Sequence, residues 1–159
     1  YVMYYNGKDS ARWPWHEQVG MAFSDDFYKW KRYEGNPVLK VTPNHWDSHF
    51  SCGQHVLYDS REKRWVMFYC GFDLKHAQEG VAISYDMLSW EKCEQPIIEY
   101  GKSGEIDSVH AHKPCVIYHD GALWHFYCAV RPTVTDEEKE KFGNEFRCLT
   151  VACSKPFDK

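Results

Sequence analysis

The chain of 159 residues has no long apolar run: stretches such as Trp65-Val66-Met67-Phe68 fall far short of the roughly 18 residues that a membrane-spanning helix needs. It has no basic excess either. Nineteen Lys and Arg stand against 23 Asp and Glu, a formal charge of −4, so there is no positive field to hold a phosphate backbone and nucleic acid is excluded as the main partner. No C-x-x-C pair occurs and the cysteine count, 7, is odd. Neither a zinc ribbon nor a complete disulfide framework is specified, and most of the thiols are expected to be buried and apolar. The first residue is Tyr1, with no initiator Met and no signal-peptide pattern, which reads as a processed or truncated start. What is plentiful is apolar and aromatic. Hydrophobic residues make up 43% of the sequence and aromatics 17%, enough for a buried core and too much for a disordered tail.

The apolar residues fall in short aromatic and β-branched runs, which favour strands over helices, and the runs repeat. Trp46-Asp47-Ser48 recurs 60 positions later as Ile106-Asp107-Ser108, and Val56-Leu57-Tyr58 as Val116-Ile117-Tyr118. Trp65-Val66-Met67-Phe68-Tyr69-Cys70 matches Leu123-Trp124-His125-Phe126-Tyr127-Cys128, the intervening turn shortening to one with Asp120-Gly121, a hairpin signal. A third copy opens the sequence. Val2 to Gly7 resembles Val66 to Gly71, and Gly20-Met21-Ala22-Phe23-Ser24 resembles Gly80-Val81-Ala82-Ile83-Ser84. Trp30 then matches Trp90, and Asn36-Pro37-Val38-Leu39 matches Gln95-Pro96-Ile97-Ile98.

Each unit reads as four antiparallel strands, and four-stranded units repeated about every 60 residues are the blades of a β-propeller. The expected fold is therefore all-β, a β-propeller of four-stranded antiparallel blades. The meandering sandwich is the rival, but it has no reason to repeat its strand order. One domain is expected, divided into a partial blade over 1–42, a complete blade over 43–101 and a blade lacking its last strand over 102–159. About two and a half blades cannot close a ring, so the remainder is expected from a longer chain or an associated copy. Thr135 to Gly143 stands apart. A Thr three residues before Glu138, acids in the first turn and a closing Gly predict a short capped helix between two strands of the last blade.

In a propeller the innermost strands line a central channel, so residues just before and at the start of those strands converge on one funnel. Here those stretches are His45 to His55, with His45, Asp47, His49 and His55, and Glu105 to Cys115, with Glu105, Asp107, His110 and His112. Asp47 and Asp107 each precede a Ser, which suits a catalytic carboxylate and equally suits a turn whose carboxylate accepts backbone N–H groups. His110-x-His112 puts two imidazoles on one strand face, short of the four ligands zinc usually has. Trp13-Pro14-Trp15 lies in a long connection where flat rings could stack on a sugar or fold onto one another. Trp30 and Trp90 recur once per blade and read as packing.

On these motifs, Trp46-Asp47-Ser48, Gly80 to Ser84, Glu105 to Pro114 and His125-Phe126-Tyr127, the sequence resembles the five-bladed β-propeller glycoside hydrolases. This superfamily includes arabinanases, β-xylosidases, invertases, levansucrases and neoagaro-oligosaccharide hydrolases. The resemblance implies a glycosidase whose funnel holds one protonated and one ionised group across the scissile bond, with a further carboxylate orienting them. Its acid Glu commonly lies two residues before the blade Pro, where this sequence has His112 ahead of Lys113 and Pro114. A His can serve as proton donor. Glu105 is the other candidate acid, Asp47 the modulator or base, and Asp107 completes the catalytic set. Trp13, Trp15, Trp46 and His110 are the expected sugar contacts. No cofactor is called for, although some of these hydrolases hold a channel cation. A carbohydrate is the expected partner and a secreted or periplasmic location is favoured. A non-catalytic carbohydrate-binding or scaffolding propeller is the main alternative, and a metal-dependent hydrolase using the histidines a third reading.

Overall fold

The computed structural model describes residues 1–155, and the last four residues of the third blade's expected span lie outside the described residues. The first blade is β1 (Val2–Lys8), β2 (Glu17–Phe23) and β3 (Lys31–Arg32). The second is β4 (Phe50–Asp59), β5 (Arg64–Phe72), β6 (Ala77–Ser84) and β7 (Glu91–Lys92). The third is β8 (His110–His119), β9 (Ala122–Pro132) and β10 (Glu145–Cys153), with α1 (Asp136–Phe142) between its last two strands. Within each blade the strands are antiparallel. Successive blades meet through one parallel pair each, Glu17 with Phe50 and Ala77 with His110. The fold is an all-β partial propeller.

Local chemistry accounts for the elements. Asp120 and Gly121 both take positive φ, as a two-residue hairpin of the primed type requires. The loops leaving β2 and β6 are copies of one another: Ser24 Oγ accepts from Phe27 N and Ser84 Oγ from Met87 N, each at 2.8 Å. In both, the Asp two residues on, Asp26 or Asp86, accepts two further backbone N–H groups. The helix forms where the capping signals place it. The Thr135 hydroxyl accepts from Glu138 N, Gly143 closes the C-terminus with φ 77°, and Arg131 grips both oxygens of Glu138. The outer strands are shorter than the repeat implies. Each has two residues followed by an isolated bridge, Val19 with Leu39 or Glu79 with Ile98, because Pro37 and Pro96 interrupt the ladder by lacking an N–H donor.

The core lies between blades. Alternation along β5 sends Met67 and Tyr69 towards the first blade, where they pack with Val19 and Leu39. Phe68 points the other way, its ring edge-on to His125 of the third blade. Ala111, Tyr127 and Ala129 form a second cluster on that side. The expectation that most thiols are buried is corrected: only Cys52 and Cys70 are, while Cys93 and Cys115 are exposed. Cys115, on the inner strand, is turned by β8 to a face that no described blade covers.

All the connections that matter for a site gather at one end. The starts of β4 and β8, the loops joining β1 to β2 and β5 to β6, and the helical excursion from β9 to β10 share it, because the parallel pairs join strand starts to strand starts. This end is the mouth of the funnel.

Candidate functional site

Asp47 does not reach the mouth. It has no accessible surface, and its carboxylate is ion-paired with Lys92, which comes from the outer strand of the same blade. Ser51 Oγ donates to it at 3.1 Å and the Tyr69 hydroxyl at 3.2 Å. Lys92 also donates to the Lys40 carbonyl and, at 2.9 Å, to Ser51 Oγ. Burial lowers the Lys92 ammonium pKa while the hydrogen bond and charge of Asp47 work against the shift. A carboxylate so enclosed is not open to a substrate at the mouth, which does not suit the base role expected of it. Asp107 repeats the arrangement in the third blade, accepting from the Tyr127 hydroxyl at 2.8 Å, and burial raises that phenol well above its usual value. The recurring Asp is thus a strut bonded to the second-strand Tyr, buried in the second blade and half-buried in the third, and it accepts from side chains where the turn-and-cap alternative expected backbone N–H groups.

Two other expected residues also have structural partners. Trp46 lies stacked on Tyr69, ring centres 5.6 Å apart, and its Nε1 donates to the Glu94 carbonyl at 3.0 Å. Its ring edge fills the space over Gly71 and Gly80, where an added Cβ would meet the indole at 2.1 and 2.5 Å. Trp46 is a wedge rather than a sugar platform. Glu105 is exposed, and its carboxylate accepts from Lys102 N at 2.6 Å, stapling the turn that leads to β8.

His110 and His112 do stand at the mouth. A β-bulge interrupts β8 between His112 and Cys115, with Lys113 at φ 65°; β4 has the same bulge with Gly53 at φ 64°. The bulge re-aims the side chains at the strand start. His110 Nδ1 accepts from Ala77 N at 3.0 Å, which leaves Nε2 as the protonated nitrogen. The rings of His110 and His112 are 5.9 Å apart, and His76, stacked on Tyr100 at 3.8 Å, donates from Nδ1 to the Val109 carbonyl. His112 Nε2 is enclosed without a hydrogen-bond partner. Burial, then Lys113, His110 and Arg147, push His112 down to about 4, so the ring is neutral near pH 7. A neutral imidazole accepts a proton more readily than it gives one, which runs against the expected donor role. Beside it, Phe142, Asn144, Glu145 and Arg147 line an open cavity of about 430 Å³, in which Arg147 pairs with Glu145.

The first blade's loop reaches the same end. Trp13 is 55% exposed and stands edge-on to Trp15 at 5.0 Å and to His49 at 4.8 Å. Trp15 is more committed: Lys8 lies 3.8 Å from its ring and its Nε1 reaches Glu17 at 3.3 Å. The sequence patterns did not single out His16 and Asp9, which form an exposed pair at 2.7 Å, the Asp9 carboxyl being held below its usual range mainly by that bond. The only available signal was their placement at the two ends of one hairpin loop. His49 sits beneath Trp13 and His16, with Nε2 unpartnered and its pKa lowered chiefly by burial. Among the described residues no three His, Cys, Asp or Glu side chains come close enough together to hold a metal ion.

No family model matches the sequence, and no curated protein matches it. Solved structures do. One described as a glycoside hydrolase is 33% identical with a TM-score of 0.73, over 98% of this protein's length and 41% of its own. A complex of BT0996 with RGII is 34% identical with the same TM-score and the same coverage. The Bombyx mori GH32 beta-fructofuranosidase BmSUC1 is 19% identical with a TM-score of 0.68, over 94% of this protein's length and 31% of its own, and speaks for the fold alone. The sequence therefore spans about two fifths of the length of the first two.

Proposed function

Since this protein belongs to the β-propeller glycoside hydrolase superfamily, we propose that it forms part of a glycosidase that cleaves a poly- or oligosaccharide in the funnel of a five-bladed propeller. The observation that carries the reading is His112: re-aimed by a bulge at the funnel mouth, half-buried where Asp47 is fully buried, neutral, and with Nε2 unpartnered. Glycoside cleavage moves one proton to the leaving oxygen and removes one from water, or replaces the second step with a nucleophile. In this reading His112 is the group that takes up a proton, and blades beyond the described residues supply the partner acid. Trp13 offers its exposed face to the apolar side of a sugar ring. His110, fixed by the Ala77 N–H, presents Nε2–H to a sugar hydroxyl. Asp47 and Asp107 hold the blades, and Glu105 holds a loop.

The likeness to the complex of BT0996 with RGII makes RGII the first glycan to offer. The intact protein incubated with it and with a broad glycoside panel is expected to release product, and His112→Ala is expected to lower kcat/KM about a hundredfold, the usual loss on removing general acid–base help, with the fold intact by circular dichroism. Binding without product across the panel would make the propeller a non-catalytic glycan binder, and an unimpaired His112→Ala enzyme would remove His112 from the mechanism.

A further inference from the structure

At the places of Val19 and Met67 the layer between the first and second blades is apolar, its Asp47–Lys92 pair lying elsewhere, whereas the layer between the second and third contains a buried acid and a buried imidazole at the corresponding places. The correspondence follows from strand register. Val19, Glu79 and Leu149 face Asn6, Cys70 and Cys128, which are equivalent positions of the second strands. Met3, Met67 and His125 each face an alanine, Ala22, Ala82 and Ala152. In the first layer Val19 and Met67 lie in one fully buried cluster. In the second their places are taken by Glu79 and His125, whose Oε2 and Nε2 approach to 3.8 Å with side chains 0% and 7% exposed. Neither Glu79 oxygen nor His125 Nε2 has any hydrogen-bond partner. Phe68 stands edge-on to the imidazole at 5.5 Å and Tyr127 at 6.2 Å, so rings close the site from both blades. The nearby Tyr127 hydroxyl is committed to Asp107.

Two polar groups in an apolar layer weaken it, because each loses water and gains only the other. Such a pair persists where it selects one packing over another, the best attested use of buried polar groups. A propeller faces that problem directly. Its blades share strand order and apolar faces, and misassembly between like units is a characteristic failure of repeat proteins. We propose that Glu79 and His125 are a recognition pair by which the second blade accepts the third blade and refuses the others. Packing the His125 face on Val19 would bury an imidazole against an alkyl group. Packing the Glu79 face on Met67 or Met3 of another copy would bury a carboxyl against a thioether. Only the native order lets each group meet the other, so the pair acts by raising the cost of wrong orders.

The proposal concerns assembly and does not depend on the hydrolytic reading. It is tested in the full-length protein by unfolding, then refolding, the wild type, Glu79→Val, His125→Met and the double variant that copies the Val19 and Met67 layer. Each single variant is expected to lose at least tenfold in its folding equilibrium constant relative to the double, which is expected to be no less stable than the wild type. On refolding, the double is expected to yield at least threefold more exchanged or multimeric species by size exclusion with light scattering. Glu79→Gln, which keeps an amide to meet the imidazole, is expected to refold to the same species as the wild type, and Glu79→Leu is not. A wild-type yield of the native species from the double or from Glu79→Leu would overturn the proposal. So would effects of the two single substitutions that simply add.

Discussion

His112 and Asp47 illustrate how far a residue's type leaves its role open. Both were candidates for funnel chemistry, and the structure separates them by what surrounds them. Burial beside Lys113, His110 and Arg147 holds His112 down to about 4, so in the free protein its neutral form prevails above that value. A base role then makes kcat/KM rise with pH through about 4 and stay level towards neutrality. A pH–rate profile falling over the same interval would mean that the protonated ring is the working form. For Asp47 the expectation is structural. Lys92→Met would leave the carboxylate buried without its counter-ion, a change that costs about 3–5 kcal/mol. Chemical denaturation should register that loss while turnover per folded molecule stays near the wild-type value. The pairing was not legible in the sequence, because Lys92 lies 45 residues from Asp47 and on a two-residue strand. Nor was the Asp9–His16 pair, whose members acquire meaning only when their hairpin folds over His49.

Among the elements, the recurrent parts were legible and their exceptions were not. The hairpin turn, the capped helix and the Ser-x-Asp loops rest on chemistry within a few residues of one another. The outer strands shrank because a proline interrupts each. The bulge shows how one local geometry tolerates different residues: β4 meets its left-handed position with Gly53, and β8 meets it with Lys113. A lysine is strained in that conformation, so Lys113→Gly is expected to gain about 1 kcal/mol of stability in denaturant titration. Gly71 is the reverse case. An alanine there would drive its methyl to 2.1 Å from the Trp46 ring, and Gly71→Ala is expected to lose about 1–3 kcal/mol through overpacking. The Trp and Pro that recur beside the outer strands were visible in the repeat, but the wedge of Trp46 over two glycines of other strands was not.

At the scale of the whole molecule, the faces of the third blade tell most. Leu149 is 82% exposed although its counterparts Val19 and Glu79 are fully buried, and Phe126 and Ile117 are open beside it. We propose that a further blade, from a longer chain or an associated copy, covers this face. Leu149→Ala made there is expected to cost about 2–5 kcal/mol, the range for a large aliphatic lost from a core, and an unchanged thermal midpoint would show the face to be bare. From the amino-acid order alone came the repeat, the order of strands within a blade, the helix and the pair of stretches that approach the mouth. These depend on side-chain alternation and turn chemistry, which act over a few residues and leave their mark in spacing. Only the folded protein decided which of the repeated polar groups is a strut and which faces solvent. That choice depends on partners brought from distant strands, Lys92 to Asp47, Ala77 to His110 and His125 to Glu79, and on how much water their arrival removes.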